Sequence, residues 1–270
     1  MYKIKKRSKL RLYLGKYLYI VKRYLKWQVE KKLFSSTLNK HDAEHIVFSH
    51  SSPIIRKLSQ VDIQLQRNKK TNLAIAIKKL NKIIIKPNEV FSFWYLVGNP
   101  SKKKGYVPGF SLSQGKLIET IGGGLCQLSN LIFWMSLHTP LTIAERHRHT
   151  YDVFPDSNRT LPFGSGATVA YNYIDLQLLN KTTDTFQLKL WIEEDQLHGQ
   201  WLCNNQLEYS YKIIEEGHKI SHFLAGTYLR QNKLYKVTYD KASNKEKNKL
   251  LIVENNALMM YNPLLNEAKV

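Results

Sequence analysis

The fold prediction starts from one glycine-rich stretch, Gly122-Gly123-Gly124-Leu125-Cys126-Gln127-Leu128-Ser129-Asn130. Glycine has no Cβ and tolerates positive φ, so three in a row predict a sharp turn or the close approach of another chain or a ligand. The residues that follow are apolar on nearly every side and contain no Pro or Gly before Pro140. This pattern predicts a buried helix over residues 125–138, with Cys126 in its first turn.

The position of Cys126 at a helix start suggests two kinds of chemistry. A helix N-terminus carries partial positive charge, which stabilises either a thiolate or a bound anion. Cys126 is therefore a candidate nucleophile, with the backbone N–H groups of Gly124 to Cys126 as a possible oxyanion hole. The candidate ligand-binding residues are Gly122, Gly123, Gly124, Gln127, Ser129 and Asn130. A small buried cysteine that only packs is the alternative.

A pair of histidines follows the predicted helix. Residues 141–150 are expected to form a strand whose period of two places Ile143, Glu145, His147 and His149 on one face. Either histidine could act as a base for Cys126, and Glu145 or Asp175 could orient it. A hydrogen-bonded structural cluster is the alternative. Because no second thiol is clustered nearby, we predict no tight zinc site and no cofactor.

The other patterns indicate a fold that mixes helix and antiparallel strand. Residues 65–80 have helical periodicity, residues 110–118 predict a hairpin, and short alternating runs continue from residue 185 to residue 253. We therefore predict an α+β fold, with a mixed or antiparallel sheet around a buried central helix. The expected divisions are an arm over residues 1–40, a core over 41–182, and a β-rich C-terminal extension of the core over 183–270.

The N-terminal arm carries much of the charge of the chain. Of a formal net charge of +20, residues 1–32 supply twelve Lys/Arg and one Glu, a net +11. Tyr13, Tyr17, Val21 and Tyr24 recur at helical steps, which predicts a basic helix with an aromatic stripe. Such a helix suits the surface of an anionic membrane, and docking on its own domain is the alternative. No nucleic-acid motif accompanies the charge, so nucleic acid is not an expected partner.

The longest apolar run of the arm, residues 17–21, is too short for a membrane span or a signal-peptide core. The two cysteines do not form a disulfide framework. We therefore expect a cytoplasmic protein, with peripheral attachment to the inner membrane face through residues 1–32 left open.

Several sequence blocks, taken in chain order, resemble the VanW family, which is named after an accessory protein of vancomycin B-type resistance clusters. The blocks are residues 88–94, 122–130, 138–143, 145–149, 167–169 and 175–176. The resemblance covers roughly residues 45–195, so the predicted core is VanW-like. It implies an association with Gram-positive cell envelopes and glycopeptide resistance, with a peptidoglycan precursor as a possible partner. The family carries no established biochemical activity that could be transferred to these residues.

Three functions are compatible with these sequence features. The first is an accessory protein of glycopeptide resistance or cell-envelope metabolism. The second is a cysteine-dependent hydrolase or transferase acting on amide bonds of a peptidoglycan precursor, with Cys126, His147 or His149, and Asp175 or Glu145 as its parts. The third is a non-catalytic module that binds an anionic envelope ligand through the glycine loop.

Overall fold

The structure, a computed structural model, describes residues 8–55, 62–113, 115–149, 151–153, 160–224 and 226–263. Within these ranges the α-helices are α1 (Lys9–Val29), α2 (Ile63–Leu80), α3 (Phe93–Val97) and α4 (Cys126–Ser136). Together with the mostly antiparallel strands described next, they confirm the predicted α+β class. The boundaries predicted near residues 40 and 182 stay predictions.

The strands form three sheets and one two-stranded ribbon in the described part of the chain. Their bounds are β1 (His45–Pro53), β2 (Ile84–Ile85), β3 (Val90–Ser92), β4 (Pro108–Ser113), β5 (Lys116–Ile121), β6 (Thr142–Glu145), β7 (Tyr151–Asp152), β8 (Gln177–Leu179), β9 (Phe186–Glu193), β10 (Gln196–Cys203), β11 (Tyr209–Leu224), β12 (Thr227–Asp240) and β13 (Glu246–Met259). The sheet orders are β1-β10-β9-β2, β11-β12-β13-β7 and β3-β8-β6, and β4 pairs with β5. Every ladder between these strands is antiparallel except that between β13 and β7.

Helix α4 is buried in the core, as expected from a segment that is apolar on all sides. Leu128, Ile132 and Phe133 are fully buried. The helix lies closely against β10, because a Cβ added at Gly199 would be only 2.6 Å from Met135 Cε. The indole Nε1 of Trp201, on the same strand, donates a hydrogen bond to Ser136 Oγ at 3.2 Å. The sheet therefore fixes the helix that begins at Cys126.

Three strand predictions are corrected by the structure. The strand expected over residues 141–150 ends at Glu145, and a bulge between Ile143 and Glu145 interrupts its alternation. Beyond it, His147 makes only an isolated bridge to Thr168, and residue 150 lies outside the described ranges. Residues 167–171, whose sequence Ala-Thr-Val-Ala-Tyr is also typical of a strand, form only isolated bridges, at Thr168 and Ala170. After β10, the C-terminal region contains three long strands, β11, β12 and β13, instead of several short ones, because the strand pairing continues through the segments between the alternating runs.

The arm is helical from Lys9 to Val29, and residues 1–7 lie outside the described ranges. One side of α1 faces the rest of the protein through Ile20, Arg23 and Trp27, which are spaced three and four residues apart. Trp27 is 8% exposed, and its ring meets that of Tyr95 edge-on at 5.4 Å between centroids. Within the described chain, no helix combines the length and the apolar content that crossing a bilayer requires.

Candidate functional site

The glycine run packs against the protein's own backbone. A Cβ at Gly123 would lie 2.1 Å from the carbonyl oxygen of Gly109 on β4, so only glycine allows the two chains to approach. Gly124 has φ +95°, and a Cβ there would lie 2.2 Å from Lys69 Cγ on α2. Gly122 has φ +76° and would meet Pro100. The close approach that the sequence predicted is therefore made by β4 and α2.

Asn72 on α2 fastens this glycine turn. Its side-chain Nδ2 donates to the carbonyl oxygens of Gly123 at 2.9 Å and Val107 at 3.0 Å. Its Oδ1 accepts a hydrogen bond from the Val107 N–H at 2.9 Å. Asn72 is fully buried, so these bonds satisfy an amide that would otherwise be costly to bury. No sequence pattern singled out this residue, since a lone Asn in a helical pattern is common.

The thiol of Cys126 lies at the start of α4, as predicted, but its surroundings are apolar. Its Sγ donates to the carbonyl oxygen of Val169 at 3.6 Å. Burial raises the pKa of the Cys126 thiol, with only partial opposition from hydrogen bonds involving Val169 and its own backbone. Desolvation therefore opposes the stabilisation of a thiolate that a helix N-terminus offers. Among the described residues, no imidazole forms a hydrogen bond with the thiol. The role of Cys126 as a nucleophile stays a prediction.

The polar residues after Cys126 all have intramolecular partners. Gln127 Nε2 donates to Ser52 Oγ and the Pro53 carbonyl oxygen, both at 2.9 Å. Ser129 Oγ donates to the Ala167 carbonyl oxygen at 2.7 Å, and Asn130 Oδ1 accepts from the Ala167 N–H at 2.7 Å. These bonds tie α4 to β1 and to the segment around residue 167. Their predicted role in ligand binding stays a prediction.

Glu145 is the centre of a charged cluster that includes the arm. Arg23 donates two hydrogen bonds to its carboxylate, at 2.5 and 2.6 Å, and His147 Nε2 lies 3.3 Å from Oε1. The Asp175 N–H also donates to Glu145 Oε1, at 3.1 Å. Burial alone would raise the pKa of Glu145, but hydrogen bonds from His147 and Arg23 and the Arg23 charge together lower it to about 2. Glu145 is therefore a carboxylate that holds α1 on the domain.

Asp175 is buried at the junction of β3, α3 and β8. Its carboxylate accepts hydrogen bonds from Ser92 Oγ at 2.6 Å, the Trp94 N–H at 3.0 Å and Gln177 Nε2 at 3.1 Å. Burial raises its pKa, and these donors oppose the shift. Within the described ranges, no histidine donates a hydrogen bond to this carboxylate. By accepting hydrogen bonds from Ser92 and Trp94, the Asp175 carboxylate orders the start of α3.

The structure joins some predicted residues and separates others. Glu145 contacts both His147 and the backbone of Asp175. Hydrogen bonds connect neither Cys126 nor His149 to that group in the described chain. Burial, and then the charge of Arg148, lowers the pKa of His149. No group of three or more metal-ligating side chains is found in the part of the chain that the structure describes. Arg23, which completes the cluster, was recognised in the sequence only as one of many basic residues.

Comparisons with known proteins point to one family. The family model described as VanW like protein matches residues 68–202. Vancomycin B-type resistance protein VanW of Enterococcus faecalis is 37% identical over 180 residues, which are 67% of this chain and 66% of that protein. The uncharacterized protein YoaR of Bacillus subtilis is 31% identical over 115 residues, 43% of this chain and 36% of YoaR. The chain therefore matches just under two thirds of the first relative's length and about a third of the second's. No solved structure matches.

Proposed function

This chain belongs to the VanW family, and we propose on that basis that it is an accessory protein of glycopeptide (vancomycin) resistance. The observation that carries the proposal is the 37% identity to the VanW resistance protein over 180 residues. The stretch matched by the family model, residues 68–202, includes the glycine turn, α4 and Glu145 with His147 and Asp175.

The test is complementation of a B-type resistance cluster from which its own VanW has been removed. Expression of this chain should restore the minimal inhibitory concentration of vancomycin that the complete cluster gives. A variant with Gly123→Ala, in which the fold is disrupted at its glycine turn, is the negative control. If the folded chain is expressed and the inhibitory concentration stays at the level of the deleted cluster, the proposal is wrong.

Within this role, the geometry favours binding over cysteine catalysis. Cys126 is half-buried, its thiol donates to the Val169 carbonyl oxygen, and burial raises its pKa. A nucleophilic cysteine instead needs access and a lowered pKa. Cys126→Ala should therefore complement as well as the unmodified chain, and Cys203→Ala, which removes the fully buried thiol, is the control for loss of a cysteine elsewhere in the fold. Loss of resistance in folded Cys126→Ala alone would favour the hydrolase or transferase.

We also propose that α1 attaches the protein to an anionic membrane surface. An exposed apolar stripe runs along the helix at steps of three and four residues, formed by Leu10, Leu14, Leu18, Val21, Leu25 and Val29. Leu14 lies nine residues before Arg23, and Leu18 lies nine residues before Trp27. Nine residues are two and a half helical turns, so the two leucines lie on the side of α1 opposite to the side that faces the domain. The net charge of +11 over residues 1–32 complements anionic lipid.

Vesicle co-sedimentation tests this attachment. The full chain should sediment with phosphatidylserine-containing vesicles and less with neutral ones. Leu14→Glu combined with Leu18→Glu should weaken binding at least about tenfold, because two apolar side chains are lost from the interface. Leu250→Glu combined with Leu251→Glu makes the same change at exposed positions of β13 and should bind as the unmodified chain does. Equal sedimentation of the two double variants would contradict the proposal.

A further inference from the structure

A cleft separate from the Glu145 cluster lies between α4, the segment after β6, and β13. Its volume is about 400 Å³, within the range of small-ligand sites. Its walls are Phe133, Ile143, Arg146, Ile252, Val253 and Glu254. Most of these residues are apolar, with one cation and one anion among them.

Arg146 is the fixed polar group of this cleft. Its Nε donates to the Gly166 carbonyl oxygen at 2.9 Å, and its Nη2 donates to the carbonyl oxygens of Gly164 at 2.5 Å and Gly166 at 2.6 Å. The guanidinium carbon lies 4.9 Å from the centroid of the Phe133 ring. One edge of the guanidinium is thus held rigidly by loop carbonyls, and its Nη1 makes no hydrogen bond to any residue that the structure describes.

The charge of Arg146 is not neutralised by a carboxylate of the described chain. Its hydrogen-bond partners there are neutral carbonyl oxygens, and within the same ranges it forms no ion pair. Burial and the nearby charge of Arg148 lower the pKa of Arg146 to about 10, so it is still a cation at neutral pH. Half-buried cations are normally paired, and the two N–H groups of Nη1 remain available to donate to a carboxylate, the group that a guanidinium binds most strongly.

Glu254 supplies the opposite charge in the same cleft. It lies on β13, where its side chain is exposed, and it pairs in register with Lys233 of β12. Glu254 forms no ion pair with Arg146 or another described residue. Arg146 and Glu254 thus line the same cleft as four apolar side chains without pairing with each other. Such an arrangement matches a small molecule with a carboxylate at one end, an ammonium at the other, and short apolar groups between them.

We propose that this cleft binds a free dipeptide with small side chains, its carboxylate on Arg146 and its amino group towards Glu254. The site rests on the proposed accessory role and deepens it by naming a ligand class. It differs from the anion site expected at the glycine loop, whose residues are occupied by intramolecular contacts.

Isothermal titration of the full chain with alanyl-alanine tests the site. The affinities for the L,L and D,D forms are compared. Tighter binding of the D,D form would indicate a ligand derived from the cell envelope, and tighter binding of the L,L form would indicate a general peptide. The C-terminal amide should bind at least about tenfold more weakly, since it removes a hydrogen-bonded charge pair. The N-acetyl derivative should lose less, because Glu254 is exposed to solvent and its attraction is screened.

Variants of the protein separate binding from folding. Glu254→Gln should reproduce the loss caused by N-acetylation, and it removes no ion pair that the described residues make. Lys233→Gln, across the β12–β13 ladder and outside the cleft lining, is the matched control and should bind normally. Arg146→Lys keeps the charge but loses the hydrogen bonds to Gly164 and Gly166 that fix the guanidinium. It should weaken binding of the dipeptide while leaving binding of the amide nearly unchanged.

Two outcomes would overturn the site. The first is equal affinity for the dipeptide and its amide. The second is no heat of binding at millimolar dipeptide with a folded protein. If either result is obtained with a chain that still complements the resistance cluster, the dipeptide proposal is wrong and the accessory role is unaffected.

Discussion

Substitution of Glu145 by Gln measures how strongly the arm is held on the domain. Glu145 accepts two hydrogen bonds from Arg23 and lies 3.3 Å from His147 Nε2. A pKa lowered from an ordinary 4.5 to about 2, at about 1.4 kcal/mol per pH unit, corresponds to about 3 kcal/mol of native-state stabilisation. Gln has no charge, so Glu145→Gln should lose most of this free energy at pH 7.

The sign of the pH dependence follows from the lowered pKa. The ionised carboxylate stabilises the native state fully above pH 4.5, and the stabilisation disappears as the pH falls towards 2. The difference in stability between the unmodified chain and Glu145→Gln should therefore be largest at neutral pH and should close between pH 4.5 and pH 2.

Two assays report on this loss. Urea unfolding between pH 2.5 and pH 7 gives the free energy of unfolding. Tryptic cleavage at Lys22 and Lys26 gives the opening of α1 by itself, and it should be about a hundredfold faster in Glu145→Gln if the arm opens without global unfolding. The control is Glu216→Gln, which breaks the exposed ion pair with Lys249 and should cost less than about 1 kcal/mol.

Equal stability and equal cleavage rates for Glu145→Gln and Glu216→Gln would refute this role of Glu145. An effect of Glu145→Gln that stays constant down to pH 2.5 would refute it as well, because the carboxylate would then not titrate as its contacts require.

Two further predictions concern the glycine turn and the thiol. Gly123→Ala should destabilise the protein by more than about 2 kcal/mol in urea unfolding, because its Cβ would lie 2.1 Å from the Gly109 carbonyl oxygen. Gly15→Ala on α1, with nothing within 4 Å, should instead be neutral or stabilise the helix by up to about 1 kcal/mol. Cys126 should react more slowly with iodoacetamide at pH 7 in the folded protein than in the unfolded one, since burial raises its pKa. Mass spectrometry of the labelled peptides checks this, and rapid selective labelling of Cys126 in the folded protein would support its role as a nucleophile.

The longer helices could be predicted from the sequence because their signals are local, whereas the five-residue helix α3 was not predicted. The predicted ranges 65–80 and 125–138 correspond to Ile63–Leu80 and Cys126–Ser136, where helical periodicity or an uninterrupted apolar run marks the segment. The glycine run also correctly indicated a close backbone approach. Its partner, Gly109, could not be inferred because nothing near either glycine specifies the other.

The candidate site could be predicted only in part, for the same physical reason. Glu145 and His147 are two residues apart, so their proximity follows from local geometry. Arg23 lies 122 residues from Glu145, and the twelve basic residues within residues 1–32 offered no way to choose it. The alternation expected to continue to His149 failed because a bulge near Glu145 ended the strand. Whether the Cys126 thiol could act as a nucleophile depended on its exposure to solvent. The sequence pattern predicted a buried helix, but it could not show how much of the thiol would be exposed.

The contact between Gly109 and Gly123 also limits how this region can evolve. At each position a Cβ would be blocked by the backbone of the other, at 2.6 Å from Gly123 O or 2.1 Å from Gly109 O. A clash with a side chain can be relieved by shortening that side chain, but neither glycine has anything left to shorten. Second-site substitutions at the partner therefore cannot rescue a change at either position. Invariance of this pair across a lineage would follow from steric exclusion alone and would say nothing about catalysis by the neighbouring cysteine.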